Sequence, residues 1–416
     1  MSSPYFRRET VSWALFDWAN SAFSTTVLAG FFPVFFSQYW STGVDPTVST
    51  SRLGLANGIA GLVVAVLAPV LGAIADRTAG RKPQLLLWSL LGIVSTAALG
   101  FIGQGEWGWA AACFVVAGIG FNAANVFYDA LLLEVAATHE LDQVSAFGFA
   151  LGYLGGGLLF AVNVLMTLHP AWFGLDNAAQ AVQWSFLTVA LWWFLFTLPL
   201  ARHVREPPAP LTNAGRWAAV RAGFASLGST LRHIGGYREI VLFLLAYWLY
   251  IDGVYTVYKM AIDYGVALGL PSSSLLAALL LTQFVAFPAA LALGWLGNRW
   301  GPKRGILLCI GVYLAATVYA YFLDSVTEFF ALAVVVGLVQ GGIQSLSRSF
   351  FGRLVPAGRS GEFFGFYNMM GKFASFLGPL LIAAVALASG DSRLSVASLV
   401  VLFILGGLAL ARVPAR

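Results

Sequence analysis

An all-α membrane protein, with twelve transmembrane helices in two halves of six, is what this sequence predicts. Three observations carry the prediction: an apolar composition that no water-soluble fold accommodates, twelve apolar runs of spanning length, and a repeat divided by one polar break. Of 416 residues, 59% are hydrophobic and 10% charged, and mean hydropathy is +0.81. Soluble chains are about a quarter charged. So few charges cannot cover so much apolar surface in water, which excludes a soluble enzyme, a nucleic-acid-binding module and a disordered chain. The net charge of +5 and a pI near 9.2 do not change this, because the cations sort to one side of the predicted membrane. No nucleic-acid partner is expected.

A spanning helix needs about 20 apolar residues, and in lipid only helices and closed barrels satisfy every backbone group. The runs are 11–39, 51–75, 83–103, 107–133, 143–168, 180–201, 239–262, 272–297, 304–323, 326–352, 361–388 and 394–412. With the N-terminus inside, every Lys and Arg falls on the cytoplasmic side except Arg52, Lys259, Lys372 and Arg393. Cations favour that side, so both termini are expected in the cytoplasm. The loop 134–142 departs, with Glu134, Glu140 and Asp142 and no cation. The first run is long, carries Asp17 and Asn20, and lacks an A-x-A site, so it reads as a retained helix rather than a cleaved leader. Cys113 and Cys309 lie in separate apolar runs; neither a disulfide nor a metal motif is expected.

Residues 202–238 are the one long polar break. Pro207, Pro208 and Pro210 stop the sixth helix. Beyond them Trp217, Val220, Phe224, Leu227 and Leu231 recur at helical spacing, which predicts an amphipathic helix on the inner leaflet. The break yields three parts: a six-helix bundle 1–201, the linker 202–238, and a second bundle 239–416. Segments match across it in order and at nearly constant spacing: Gly72–Lys82 with Gly294–Arg304, Asn125, Asp129 and Glu134 with Gln344, Arg348 and Arg353, and Phe147-Gly148-Phe149 with Phe364-Gly365-Phe366. Ordered matches of this kind suggest duplication.

Charges inside spans mark candidate function, since each costs about 2.5–3.5 kcal/mol at the bilayer centre. Asp252 and Lys372 lie near the middles of spans seven and eleven. Two readings stand: an ion pair joining the two spans, or a substrate site in which Lys372 holds a carboxylate and Asp252 an ammonium or a transported proton. Tyr255 follows Asp252 at i+3 on the same face, and Lys259 lies further out. Asp17 and Asn20 share a face of span one. Burial favours the protonated carboxyl, the requirement for proton coupling, so Asp17 and Asp252 are the coupling candidates; capping of Asp17 by Asn20, Ser21 or Trp18 is the structural alternative. Asn122, Asn125, Gln283, Gln340, Gln344 and Asn368 add uncharged polar groups, with Asn20, Gln344 and Asn368 candidates for the substrate.

The Gly72–Lys82 loop, with Asp76, Arg77, Gly80 and Arg81, and its second copy with Asn298 and Arg299 resemble the signature of the major facilitator superfamily. The opening Trp13-Ala-Leu-Phe-Asp17-Trp18-Ala-Asn20-Ser21, with Gly30-Phe-Phe-Pro33, Tyr250-Ile-Asp252-Gly253 and Gln340–Ser349, resembles its vacuole-effluxer-like (UMF) branch, related to fungal vacuolar amino-acid exporters. The resemblance implies two pseudo-symmetric bundles around a central cavity, alternating access, and export of small metabolites. It implies that Asp76, Arg77 and Arg81 control conformation, with Asp76 docking near Arg359–Glu362, and that Asn298 holds its counterpart less strongly. It also brings the inner ends of spans four and ten together. Asp129 with Arg348 and Glu134 with Arg353 then close the cytoplasmic side, or the two acids pair locally with Arg77 or Arg81.

The leading expectation is a secondary active transporter, proton-coupled and without cofactor, exporting amino acids or similar small zwitterions. It is expected as a monomer in a bacterial cytoplasmic membrane, with lipid and a small-molecule substrate as partners. The alternatives are efflux of drugs or hydrophobic cations, and a non-transporting receptor or scaffold. No nucleophile–base pair, metal cluster or phosphate loop suggests an enzyme.

Overall fold

Apolar runs too long for a soluble core become, among the described residues, helices without any strand. The structure, a computed structural model, describes residues 4–76, 80–206, 216–374 and 377–414. Among the described residues twelve helices are long and apolar enough to cross a membrane: Arg8–Trp40, Ser51–Ala75, Arg81–Leu99, Trp107–Val135, Thr138–Leu168, Ala178–His203, Gly235–Ala267, Ser274–Trp300, Pro302–Ala320, Val326–Leu354, Ser360–Ser389 and Ser392–Ala411. We number these spans one to twelve. Span one widens to π-helical turns over Phe23–Phe31 and Phe36–Trp40. Spans eleven and twelve are each built of two helices, Ser360–Phe373 with Leu377–Ser389 and Ser392–Ala397 with Val400–Ala411.

Within the first six spans, one packs on five and six, and four on two and three; within the last six, ten packs on eight and nine, and twelve on seven. The two halves meet where span two packs on eleven and span five on eight and ten. These crossings are close because the sequence puts glycine there, as membrane helices without a hydrophobic drive between them require. A Cβ on Gly72 would lie 1.9 Å from the Gly361 carbonyl oxygen, and one on Gly365 2.5 Å from that of Ala68.

The repeat is visible in the backbone. Gly80 (φ 120°) and Gly301 (φ 88°) hold equivalent positive-φ turns before spans three and nine, a conformation that favours glycine. Lys82 then donates to the Val204 carbonyl at the end of span six, at 2.9 Å. Lys303 does the same to Ala411, at 2.8 Å, and to Val413, at 2.5 Å, at the end of span twelve.

The end of the bundle carrying residues 202–238 is called the linker end. The amphipathic helix is Arg216–Arg232, and it is docked on protein rather than lying free on a lipid surface. A Cβ on Gly223 would be 2.9 Å from Ile74 of span two. Ser226 and Thr230, one turn apart on one face, donate to Glu362 of span eleven at 3.0 and 2.5 Å, while Phe224 stays exposed. The side chains of Trp217, Val220 and Leu231 lie outside the described residues, as do Pro207, Pro208 and Pro210. Cys113 and Cys309 are free thiols.

The crossing of spans two and eleven has no room for a methyl group. Gly72→Ala is expected to lower the stability of the purified protein by about 1–3 kcal/mol, the usual effect of overpacking, read as a lower midpoint in thermal unfolding. An unchanged midpoint would show that the crossing is looser than this geometry.

Candidate functional site

Span ten carries Arg348 into the first half. Gly341 and Gly342 seat the helix tightly: a Cβ on Gly342 would be 2.1 Å from Leu293 of span eight. The Arg348 side chain, 2% exposed, ends among groups of spans one, four and five. Its Nη1 donates to Asp129 at 3.0 Å, its Nε to the Ser145 hydroxyl at 2.9 Å, and its Nη2 to the Ser145 carbonyl at 2.8 Å. Asp17 lies 3.9 Å away. Three rings surround the guanidinium, with centroids at 4.2 Å for Phe149, 5.0 Å for Trp13 and 5.2 Å for Tyr128.

The first half holds this cage together by itself. Trp13 stacks on Tyr128 at 4.4 Å and donates to the Tyr128 carbonyl at 3.0 Å. Asp17 accepts from Ser21 at 3.1 Å and from the Tyr128 hydroxyl at 3.3 Å. Asp129 is shared between the halves, accepting also from Asn368 of span eleven at 2.9 Å.

Nearer the linker end a second layer of charge joins the halves. Arg353 makes two bonds to Asp142, at 2.7 and 2.9 Å, and Ser349 donates to the same carboxylate. Asp76 accepts from the backbone N–H groups of Gly361 at 2.9 Å and Glu362 at 2.8 Å, the start of span eleven, where the helix dipole favours negative charge. Burial pushes the Asp76 carboxyl above its usual range, against the lowering pull of Arg81 and the two amides. Arg81 meets Asp76 at 3.1 Å and Glu134 at 2.5 Å, and Glu206 caps the backbone N–H groups of Arg81 and Lys82 at 2.8 and 3.0 Å.

Of the two readings of the acids on span four, each holds for one acid: Asp129 meets Arg348 across the halves, and Glu134 pairs within its own half, with Arg81. Two expectations are corrected here. First, Glu134 and Arg353 do not meet, and the partner of Arg353 is Asp142 of span five. Five residues turn a helix by about 140° beyond a full turn, which points Asp129 and Glu134 in different directions. Second, Asn298 and Arg299 do not dock as Asp76 and Arg81 do. Both are exposed; Arg299 lies over the Trp295 ring at 5.6 Å, and Asn298 makes no side-chain hydrogen bond among the described residues. Arg77 lies outside the described residues.

Asp252 and Lys372 do not meet. Asp252 is fully buried and accepts from the backbone N–H groups of Leu377 and Gly378 at 2.9 and 2.8 Å, and from Thr256 at 3.2 Å. It caps the second helix of span eleven, so it joins spans seven and eleven through amides rather than through Lys372, and both of its carboxylate oxygens are bonded within the protein. Lys372 ends the first helix of that span, half-buried, with no hydrogen-bond or ion-pair partner among the described residues; its charged neighbours are Lys259 and Asp129. Further uncharged polar groups bond to one another within and between the halves. Asn20 donates to Asn125 at 2.8 Å, Tyr153 donates across the halves to Gln344 at 2.9 Å, and Tyr255 is half-buried against Tyr247.

The family profile described as "Vacuole effluxer Atg22 like" matches residues 42–141 and 134–416. The chain belongs to that family. This transporter is 42% identical over 417 residues to the MFS-type transporter YxiO of Bacillus subtilis (strain 168), covering 98% of this chain and 95% of that one. It is 28% identical over 308 residues to autophagy-related protein 22-1 of Aspergillus niger, covering 68% of this chain and 49% of the relative; the chain spans about half the length of such fungal relatives. Among solved structures, FucP, an MFS transporter in the outward conformation, superposes with a TM-score of 0.75 at 11% identity over 100% of both chains. The proton:xylose symporter XylE superposes with a TM-score of 0.71 at 15% identity, over 98% of this chain and 95% of its own. At such identities the likeness shows the fold. The effluxer-like chain therefore has the major facilitator fold and is a membrane transporter, not an enzyme.

Asp252→Ala leaves two buried amides and Thr256 without their acceptor. It is expected to lower stability by about 1–3 kcal/mol while substrate half-saturation in surviving protein changes less than about twofold, roughly 0.4 kcal/mol. A tenfold change in half-saturation at unchanged melting midpoint would return Asp252 to the substrate site.

Proposed function

We propose that this effluxer-family transporter exports amino acids or similar small zwitterions by alternating access. The observation that carries this reading is the Arg348 guanidinium of one half held by Asp129 and the Ser145 carbonyl of the other. A charge satisfied only across the interface ties closure of one end to a specific position of both halves. The linker end, rich in Lys and Arg, is then the cytoplasmic end, with both termini inside. The protein is a monomer of a bacterial cytoplasmic membrane in which bundles 1–201 and 239–416 rock about the buried cluster.

In this cycle Asp129, Arg348, Asp142, Arg353 and Asp76 form the cytoplasmic gate. Lys372, without a hydrogen-bond or ion-pair partner among the described residues, takes the carboxylate of the substrate, and Asn20, Asn125, Gln344 and Asn368 contact its polar groups. Asp17 is the coupling carboxyl. It lies 3.9 Å from the guanidinium without a hydrogen bond to it, whereas Asp129 is bonded at 3.0 Å, so it is the acid left to exchange a proton when neither Arg348 nor a bound cation lies beside it. Asp252 is assigned to the fold of span eleven.

Counterflow in reconstituted vesicles tests this. Exchange of at least one amino acid is expected, and Lys372→Ala is expected to reduce it at least about tenfold, the loss of about 1.4 kcal/mol. Exchange of amphipathic drug cations that survives Lys372→Ala, with none of amino acids, would replace this reading with drug efflux. For the gate, Arg353→Ala leaves Asp142 buried without its cation, a loss of about 3–5 kcal/mol in the closed state. A cysteine at Ser349, which is fully buried, is expected to react faster with a thiol reagent from the linker side in that variant. An unchanged rate would remove Arg353 from the gate.

A further inference from the structure

Arg348 is a guest in the half that does not carry it. Every hydrogen bond of its guanidinium among the described residues goes to the first half. The groups around it are acceptors and ring faces: the Asp17 and Asp129 carboxylates, the Ser145 carbonyl and hydroxyl, and the faces of Trp13, Tyr128 and Phe149. Carboxylates joined to aromatic faces form the arrangement that recognises a cation of low hydration, such as a guanidinium or an alkylammonium.

The receptor is built without its guest. Stacking and the indole N–H fix Trp13 to Tyr128, and Ser21 and Tyr128 fix Asp17. Span five meets the cage through glycine as well as through Ser145 and Phe149. A Cβ on Gly148 would lie 2.6 Å from the Tyr128 hydroxyl, and one on Gly152 2.7 Å from Asp17, so the helix backbone backs directly onto both groups and holds them in place.

Charge completes the argument. When the linker end opens, Arg348 leaves with its own half, as do Lys372 and Asn368. Two carboxylates then share a cage whose cation has gone, and removing one partner from a buried pair is strongly unfavourable. The cage needs a replacement of the same sign. We propose that it is the binding site for the cationic group of the transported molecule, a guanidinium or a primary ammonium, and that Arg348 occupies it as an internal stand-in whenever the linker end is closed. Ligand enters from the linker side into the vacated cage. Closure returns Arg348 and displaces the cation toward the far end of the bundle, which gives the cycle its outward sense. This rests on the alternating-access reading and adds the chemistry of the ligand.

The test is binding, which needs no transport. Arg348→Ala protein in nanodiscs is titrated with methylguanidinium chloride at millimolar concentration and constant ionic strength, and thermal unfolding is followed. A saturable rise in midpoint is expected, lost in Arg348→Ala/Asp129→Asn and weaker in the unsubstituted protein, whose cage is filled. No saturable rise, or one that survives both Asp129→Asn and Trp13→Leu, overturns the proposal. Should Arg348→Ala not fold, a Ser349→Cys chain with Cys113 and Cys309 replaced by Ala gives the second readout. Methylguanidinium is expected to raise its labelling rate from the linker side several-fold by holding the open form, and no rise overturns the proposal. Binding in the cage without amino-acid counterflow supports the cage and counts against the transport reading; counterflow without cage binding does the reverse.

Discussion

A buried charge that its own half cannot satisfy is the constraint on which the rest depends. Arg348 is 2% exposed and is bonded only across the interface among the described residues. A guanidinium in that position is tolerable only while the first half offers it carboxylates, a carbonyl and rings. The two halves are therefore not merely in contact at the linker end. They are in register there, and any motion that separates them must supply the missing partners from elsewhere.

Several other features follow from holding that register. The crossings of spans two with eleven and five with eight close on glycine because the guanidinium reaches its partners only if the helices touch backbone to backbone. Around the central contact lie Arg353 on Asp142 and Asp76 on the start of span eleven, each a charged group meeting its counterpart or a helix end. The linker helix adds a tie through Ser226 and Thr230 to Glu362. The repeat supplies the frame and the charges break its symmetry. Lys82 and Lys303 bind equivalent helix ends, whereas Asp76 is docked and Asn298 is not. In the two ion pairs between the halves the acids, Asp129 and Asp142, lie on the first half and the guanidinium groups, Arg348 and Arg353, on the second, which is what lets one half hold the other.

Most of the fold was legible in the sequence. Span length and hydropathy are set by the bilayer, so the twelve helices could be read within a few residues, and the opening and loop motifs pointed to the family. The contact of Asp129 with Arg348 was one of two pairings that the repeat left open. The remainder needed three dimensions. Glu134 and Arg353 looked equivalent to Asp129 and Arg348 by alignment, but helical phase turns them apart. Asp142 carried a signal, an acid in a stretch expected to face the cytoplasm yet without Lys or Arg, although nothing in the sequence named its partner. Asp252 looked like a site because charges in membranes usually are; its use as a cap for the second half of span eleven depends on a helix break whose signal in the sequence is Pro379, in the first turn of that second helix. Trp13 and Phe149 were present in quoted motifs, but a ring becomes part of a cage only when a cation arrives from a distant span.

The account ties opening of the linker end to withdrawal of one guanidinium. The most direct measurement is the distance between spin labels placed at His139, at the start of span five, and at Arg299, at the end of span eight, both exposed and in opposite halves. In lipid, the unsubstituted protein should give a short, narrow distance distribution, and Arg348→Gln should give a longer and broader one, because the cage no longer holds the second half. The same short distribution in both proteins would contradict the account, since the linker end would then be held shut by something other than Arg348.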